Sequence, residues 1–352
     1  IKNNNLHLIN YSSPINKKIN LIELKKHLYF LKHSPKLIPY VTSYYKDNWG
    51  FCLNYNQYKK LKKGMYHAVI DSSFKNGYIK NGLAKIKGRS KKIVLITSYL
   101  CHPSMANNEL SGPLTLIGLY EKIKKWNNRN YNYYFLINPE TIGSLCFIHS
   151  YKKILVNNLK SGIVLNCLGG NKNKLTYKMS RMGNSDFDNL FLYYSKKNQC
   201  SIRKFDPTEG SDERQYCSGN LNLPVGQIAR TVYGTYNEYH TSGDDKEFMN
   251  VKKVEESIEI LEKNLKIHDL IFPLNRYIEN CELQLGKRNL YPNINSYKTR
   301  KNSSDSIIDN NKQLNILLNI LSYADGKHNI LDIANITNYN IEDIATVLDL
   351  CL

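Results

Sequence analysis

The chain has 352 residues and carries 49 Lys and Arg against 30 Asp and Glu, a formal charge of +19. That length predicts two or three domains around a sizeable core. No apolar run approaches the roughly 20 residues of a bilayer-crossing helix, so the chain reads as soluble with no membrane partner. The surplus charge is spread along a chain rich in Lys, Asn, Ile and Tyr throughout. Nucleic-acid binding needs a focused patch, so a nucleic-acid partner is not expected.

The eight cysteines, Cys52, Cys101, Cys146, Cys167, Cys200, Cys217, Cys281 and Cys351, lack the paired C-x-x-C spacing of a structural zinc site. They read as mostly buried thiols in a reducing cytoplasm. The chain opens on Ile1 with no basic-then-apolar leader and is expected to continue a longer product.

In chain order, residues 1–90 read as mostly β: "NLHLINY", "WGFCLNY" and "YHAVIDS" have the β-branched and aromatic content of strands. One helix interrupts them, predicted from Leu21 to Lys32 by the spacing of Leu21, Leu24, Leu28 and Leu31 and stopped by "HSPKLIPYV". From Lys91 apolar runs alternate with amphipathic helices: "KIVLITSYL", a helix through "PLTLIGLYEKIKKW", "NYYFLIN", a helix after Glu140, and "GIVLNCL". "LNLPVGQIAR" and a helix from Val251 to Leu270 continue the scheme. Buried parallel strands with crossing helices have this pattern, which places reactive residues at the strands' carboxyl ends. Residues 286–311 are polar and Asn/Ser-rich, a linker. Three short helical patterns follow, a size that suits a winged helix.

Four segments carry chemistry. "SYLCHPSMANNELSGP" puts His102 and Glu109 on the loop after a strand, the imidazole and carboxylate that a catalytic zinc takes. "INPETIGSL" sets Glu140 past the next strand, where it is either a general base or an acid complementing a helix dipole. "EGSDERQYCS" clusters Asp212, Glu213 and Arg214. Asp212 could bind metal or orient a ligand, and Arg214 could clamp a substrate carboxylate, unless the three form a surface ion network. "YGTYNEYHTSGDD" supplies His240, a second imidazole ligand or a partly buried structural histidine, with Asp244 and Asp245 close behind.

These segments, in this order, resemble the zinc exopeptidase superfamily, and more closely a bacterial branch of aminopeptidase-like proteins with an inserted β-rich domain and a C-terminal winged helix. "IPYVTSYYKDNWGFCL", "CHPSMANNELSGP", "PETIGSL", "GSDERQYCS", "EYHTS" and "QLGKRNLYP" carry the resemblance across nearly all of the chain. It implies a three-layer α/β/α sandwich with a mostly parallel sheet. The implied domains are an inserted β-rich domain at 1–90, a peptidase-like domain at 91–285, a linker at 286–311 and a winged helix at 312–352 that stops short of its wing. It further implies zinc on His102 and His240, Glu140 as base, and Asp212 close by. Asn108 stands where di-zinc members place a bridging Asp, Thr141 stands where they place a second acid, and the strand end "VLNCLGGN" offers no acid. One zinc ion is therefore expected, with Glu109 or else Asp212 supplying the carboxylate. The expected function is metal-dependent hydrolysis of a peptide or amide-like bond. The alternatives are a degenerate aminopeptidase-like binding module and a DNA-associated regulator acting through the winged helix. Against the last, "NITNYNIEDIATVLDLCL" has no Lys or Arg, so the C-terminal segment is expected to pack on the enzyme or mediate oligomer assembly.

Overall fold

The computed structural model describes residues 5–278, 280–288 and 310–349. The chain divides into two compact units, Ile1–Leu261 and Glu262–Leu352.

In the first unit, β1 (Ile15–Asn20) pairs antiparallel with β4 (Met65–Ile70), and the two-residue strands β2 (Leu28–Tyr29) and β3 (Phe51–Cys52) pair in parallel. The helix expected over 21–32 is short: α1 spans Leu21–Lys25, capped where Asn20 Oδ1 accepts the Glu23 N–H at 3.0 Å. Tertiary pairing overrides the leucine spacing there, since Phe51 N–H donates to His27 O and Leu53 N–H to Tyr29 O. Leu28 instead packs beside the buried Ile19, Leu24 and Ala68. A further short helix, α2 (Tyr55–Lys59), follows β3.

The main sheet has seven strands: β5 (Gly82–Ile86), β6 (Ile93–Tyr99), β7 (Asn132–Asn138), β8 (Leu159–Leu165), β9 (Leu175–Lys178), β10 (Cys200–Arg203) and β11 (Val225–Ala229). Their order is β10-β9-β11-β8-β6-β7-β5. The middle strands β7, β6, β8 and β11 run parallel, while β5 joins one side antiparallel and β9 pairs antiparallel with β11. β5 lies before Lys91, so the sheet begins earlier than the change of sequence pattern. Every residue of β6 is buried, as its unbroken apolar run requires of a strand covered on both faces.

Helices α3 (Ser111–Lys124), α4 (Ile142–Asn158), α5 (Asp186–Lys196), α6 (Glu213–Tyr216) and α7 (Val251–Asp269) complete this part of the chain. Leu95, Leu136 and Val164 pack against Phe147, Ile148 and Leu155 of α4 and Tyr216 of α6. Residues of opposite parity along a strand face the other way, and there the start of α3 presses on Ser98 and Leu165 through Gly112. A β-carbon on Gly112 would lie 2.3 Å from Ser98 Oγ and 2.5 Å from Leu165 O, with no room to shift backbone. Gly112→Ala is expected to destabilise the unit by about 1–3 kcal/mol, read as a lower urea midpoint at constant m-value.

In the second unit α8 (Asn310–Tyr323), α9 (Ile330–Thr337) and α10 (Ile341–Asp349) follow the three helical patterns of the sequence. Leu314, Leu317 and Ile320 of α8, Ile330 and Ile333 of α9, and Ile344 and Val347 of α10 are buried. Asn329 caps α9 with a capping box, and Asn338 ends it in the left-handed conformation at φ 60°. Most of the expected linker, 289–309, lies outside the described residues. Among the described residues no helix is long and apolar enough to cross a membrane.

Candidate active site

The chemistry-bearing loops gather at the carboxyl ends of β6, β7, β8 and β11, where an open α/β sheet binds its ligands. After β6, the His102 ring is 7% exposed and meets acids on both edges. Its Nδ1 lies 3.0 Å from Glu109 Oε2 and 3.3 Å from Cys101 Sγ, and its Nε2 lies 3.5 Å from Glu140 Oε2. Glu109 Oε1 accepts the backbone N–H of Cys101, so that carboxylate is fixed at both oxygens.

His240 arrives from the loop after β11. Its ring centroid is 5.4 Å from that of His102, and the Tyr40 ring lies 5.3 and 5.2 Å from the two imidazoles. Tyr239 stacks on His240 at 3.9 Å, and Tyr40 N–H donates to His240 O at 2.8 Å, which holds the residue at φ 54°. The structure therefore brings together two histidines that stand far apart in sequence.

Glu140 follows β7. Ser211 Oγ donates to its Oε1 at 2.8 Å, and its own backbone N–H donates to Cys101 Sγ at 3.3 Å. Thr141 adopts φ 63°, an uncommon conformation for a β-branched residue. Asp212 secures that turn: Oδ1 accepts the Thr141 N–H at 2.7 Å and the Ser144 hydroxyl at 3.1 Å, and Oδ2 accepts Asn138 Nδ2 at 2.8 Å. Asp212 is thus tied to the Glu140 turn rather than to either imidazole. Arg214 Nε reaches back to Ser211 O at 3.4 Å.

Asn108 is buried. Its backbone N–H donates to Asp244 Oδ2 at 2.9 Å, and its Oδ1 accepts the Tyr99 hydroxyl at 3.2 Å and the Cys167 thiol at 3.8 Å. Its Nδ2 has no protein hydrogen-bond partner among the described residues.

These surroundings drive the acids and bases apart. Burial lifts the Glu140 carboxyl to about 7 despite the opposing pull of His102, and the Asp212 charge adds to the rise. Burial also works against a charged His102, but the sulfur of Cys101 and the carboxylate of Glu109 outweigh it and raise the imidazole to about 10. Burial, with the neighbouring His102 charge, lowers His240 to about 4 and keeps that ring neutral, the form in which imidazole binds metal.

Zinc is the group the sequence resemblance implies, and the donor set fits one ion. Ligand atoms of Cys101, His102 and Glu109 lie within 4.8 Å of one another, a spacing that one ion could span. The 5.4 Å between the histidine rings is close to the roughly 5 Å expected of two imidazoles on one tetrahedral ion with metal–nitrogen bonds of about 2.0–2.1 Å. Where the resemblance puts acids for a second ion, this chain has the amide of Asn108 and the hydroxyl of Thr141. Cys101 is the member of this set that sequence reasoning missed. Cys101 is exposed, unlike the buried Cys52, Cys167, Cys200 and Cys217, and its one signal in the sequence is adjacency to His102.

Residues 15–270 match the family model of a domain of unknown function, DUF4910. The chain belongs to the DUF4910 family. Residues 273–352 match a winged helix-turn-helix model. A Clostridium acetobutylicum relative, named a "putative polysaccharide biosynthesis protein with aminopeptidase-like domain", is 37% identical over 95% of this chain and 74% of its own length. A crystal structure of a "putative peptidase" from the same organism superposes with a TM-score of 0.84 at 32% identity, covering 99% of this chain and 76% of that one. A zinc aminopeptidase from Bacillus subtilis superposes with a TM-score of 0.53 at 13% identity, over 68% of this chain and 62% of that one. That last likeness concerns the fold alone. This DUF4910 member is thus a mixed α/β protein with a mostly parallel central sheet of aminopeptidase-like form and a C-terminal winged helix.

Proposed function

We propose that this DUF4910 protein is a single-metal hydrolase of peptide or amide-like bonds. The observation that carries the reading is the meeting of His102, Glu109, Glu140 and His240 at the strand ends, with His102 held between two carboxylates. His102, Glu109 and His240 would hold one zinc, which when bound polarises a carbonyl and acidifies a water. Glu140 is the base: Ser211 fixes one of its oxygens, and burial brings its proton affinity near neutrality, where a general base works best. Asp212 keeps the Glu140 turn in place, and Arg214 offers a guanidinium fork for a substrate carboxylate.

The direct test is elemental analysis of protein purified under reducing conditions, combined with hydrolysis of a panel of dipeptides and aminoacyl amides. About one zinc per chain and turnover abolished by chelation are expected. A folded, metal-free protein inert on the panel refutes the reading. Among the described residues seven cysteines are free, which favours a reducing compartment such as the cytoplasm.

The buried amide of Asn108 favours a second reading, a retained pocket that binds peptides or sugar derivatives without turnover. On that reading Asn108→Asp creates zinc affinity the starting protein lacks, a gain of at least about tenfold, the scale on which metal-site partners act. Calorimetric titration decides it, since a starting protein that already binds zinc tightly removes this reading. The DNA-regulator reading gains no support: α10 carries Glu342, Asp343 and Asp349 and no cation for phosphate contacts.

A further inference from the structure

We propose that Cys101 Sγ is a direct ligand of the ion at His102, making the centre a thiolate–imidazole–carboxylate site; this rests on the metal-dependent reading above. Successive side chains of an extended strand point to opposite faces, yet just past β6 the sulfur of Cys101 and Nδ1 of the next residue converge to 3.3 Å. The Glu109 carboxylate joins them at 3.0 Å from the same nitrogen. Residue 101 is committed to this centre through its backbone too, because its N–H holds Glu109 Oε1.

The sulfur also accepts the Glu140 N–H at 3.3 Å, which fixes its position at the centre. Among the described residues, Cys101, His102 and Glu109 form the group of three His, Cys, Asp or Glu side chains whose ligand atoms all lie within 4.8 Å of one another. The ring centroid of His240 lies 5.4 Å from that of His102. His102 and Glu109 are buried while Cys101 is exposed, on the wall of a cavity of about 540 Å³ that the same three residues line with Leu100, Met105 and Leu110. Cys101, His102 and Glu109 would hold the ion at the edge of that cavity. A thiolate donor biases the site toward soft ions such as zinc and cadmium and away from magnesium and manganese.

The test is cobalt(II) titration of the reduced, metal-free full chain. The expected result is a sulfur-to-cobalt charge-transfer band in the near ultraviolet. Cys101→Ser should abolish it and lower cobalt affinity more than about a hundredfold, beyond what losing a hydrogen-bond partner of a ligand costs. Cys146→Ser and Cys281→Ser, at the other exposed thiols among the described residues, should retain it. A second measurement needs no variant: zinc should protect Cys101 from iodoacetamide, read by mass spectrometry of the alkylated peptide. Cobalt bound without the band, or Cys101 alkylated equally fast with metal present, overturns the thiolate ligand and leaves the single-metal hydrolase standing. Failure of the reduced chain to bind cobalt overturns both.

Discussion

Glu140→Gln is expected to lower kcat for amide hydrolysis by about 10²–10⁴-fold, the usual contribution of a positioned general base, with metal content and thermal stability unchanged. The substitution keeps the shape of the side chain, and Ser211 Oγ, 2.8 Å away, can donate to an amide oxygen as it does to the carboxylate. What is lost is the capacity to take a proton beside His102, whose Nε2 lies 3.5 Å from Glu140 Oε2. A loss expressed in kcat with KM little changed assigns Glu140 to the transition state. An unaltered kcat, or a variant that loses its metal, removes Glu140 from the role of base.

Lys178→Met carries the largest expected effect on stability. Lys178 and Glu213 form an ion pair of 2.9 Å with side chains 1% and 0% exposed. The ammonium also donates to the carbonyls of Asp206 and Glu209 and lies over the Phe205 ring. Removing it strands a buried carboxylate, at about 3–5 kcal/mol, read from urea unfolding. The damage should spread to the site: Glu213 accepts the Ser211 N–H, and Ser211 and Asp212 hold Glu140 and its turn. Gly210 permits this packing, since at φ 140° a β-carbon there would meet Glu213 Oε1 at 2.0 Å. Lys178→Met combined with Glu213→Leu should recover much of the stability, because apolar replacement of a whole buried pair is often neutral. A double variant as unstable as the single one refutes the stranded-charge account.

The strands β6, β7, β8 and β11 and the helices α3, α4 and α7 were legible in the sequence, because a strand buried on both faces must be largely apolar, whereas β9, α5, β10 and α6 were not read from it. The placement of His102, Glu140 and His240 on loops following strands was legible too, since each stands just beyond an apolar run or its turn residues. The three C-terminal helices were legible from their short helical patterns. Much less of the N-terminal part could be read. The leucine spacing of 21–32 is helical, but Leu28 and Tyr29 pair with Phe51 and Cys52, and spacing within a segment carries no information about a partner more than twenty residues away.

What the sequence determined by itself is which residues could ligate, take up a proton or end a strand, because those properties belong to side-chain chemistry and local pattern. The tertiary structure alone decided their pairing: which edge of His102 meets Glu109 and which meets Glu140, that Asp212 secures a turn, and that the exposed sulfur of Cys101 joins the imidazole beside it. Such decisions depend on ångström-scale distances between segments up to 138 residues apart, such as His102 and His240. Those distances exist only once the sheet has set the carboxyl ends of its strands side by side.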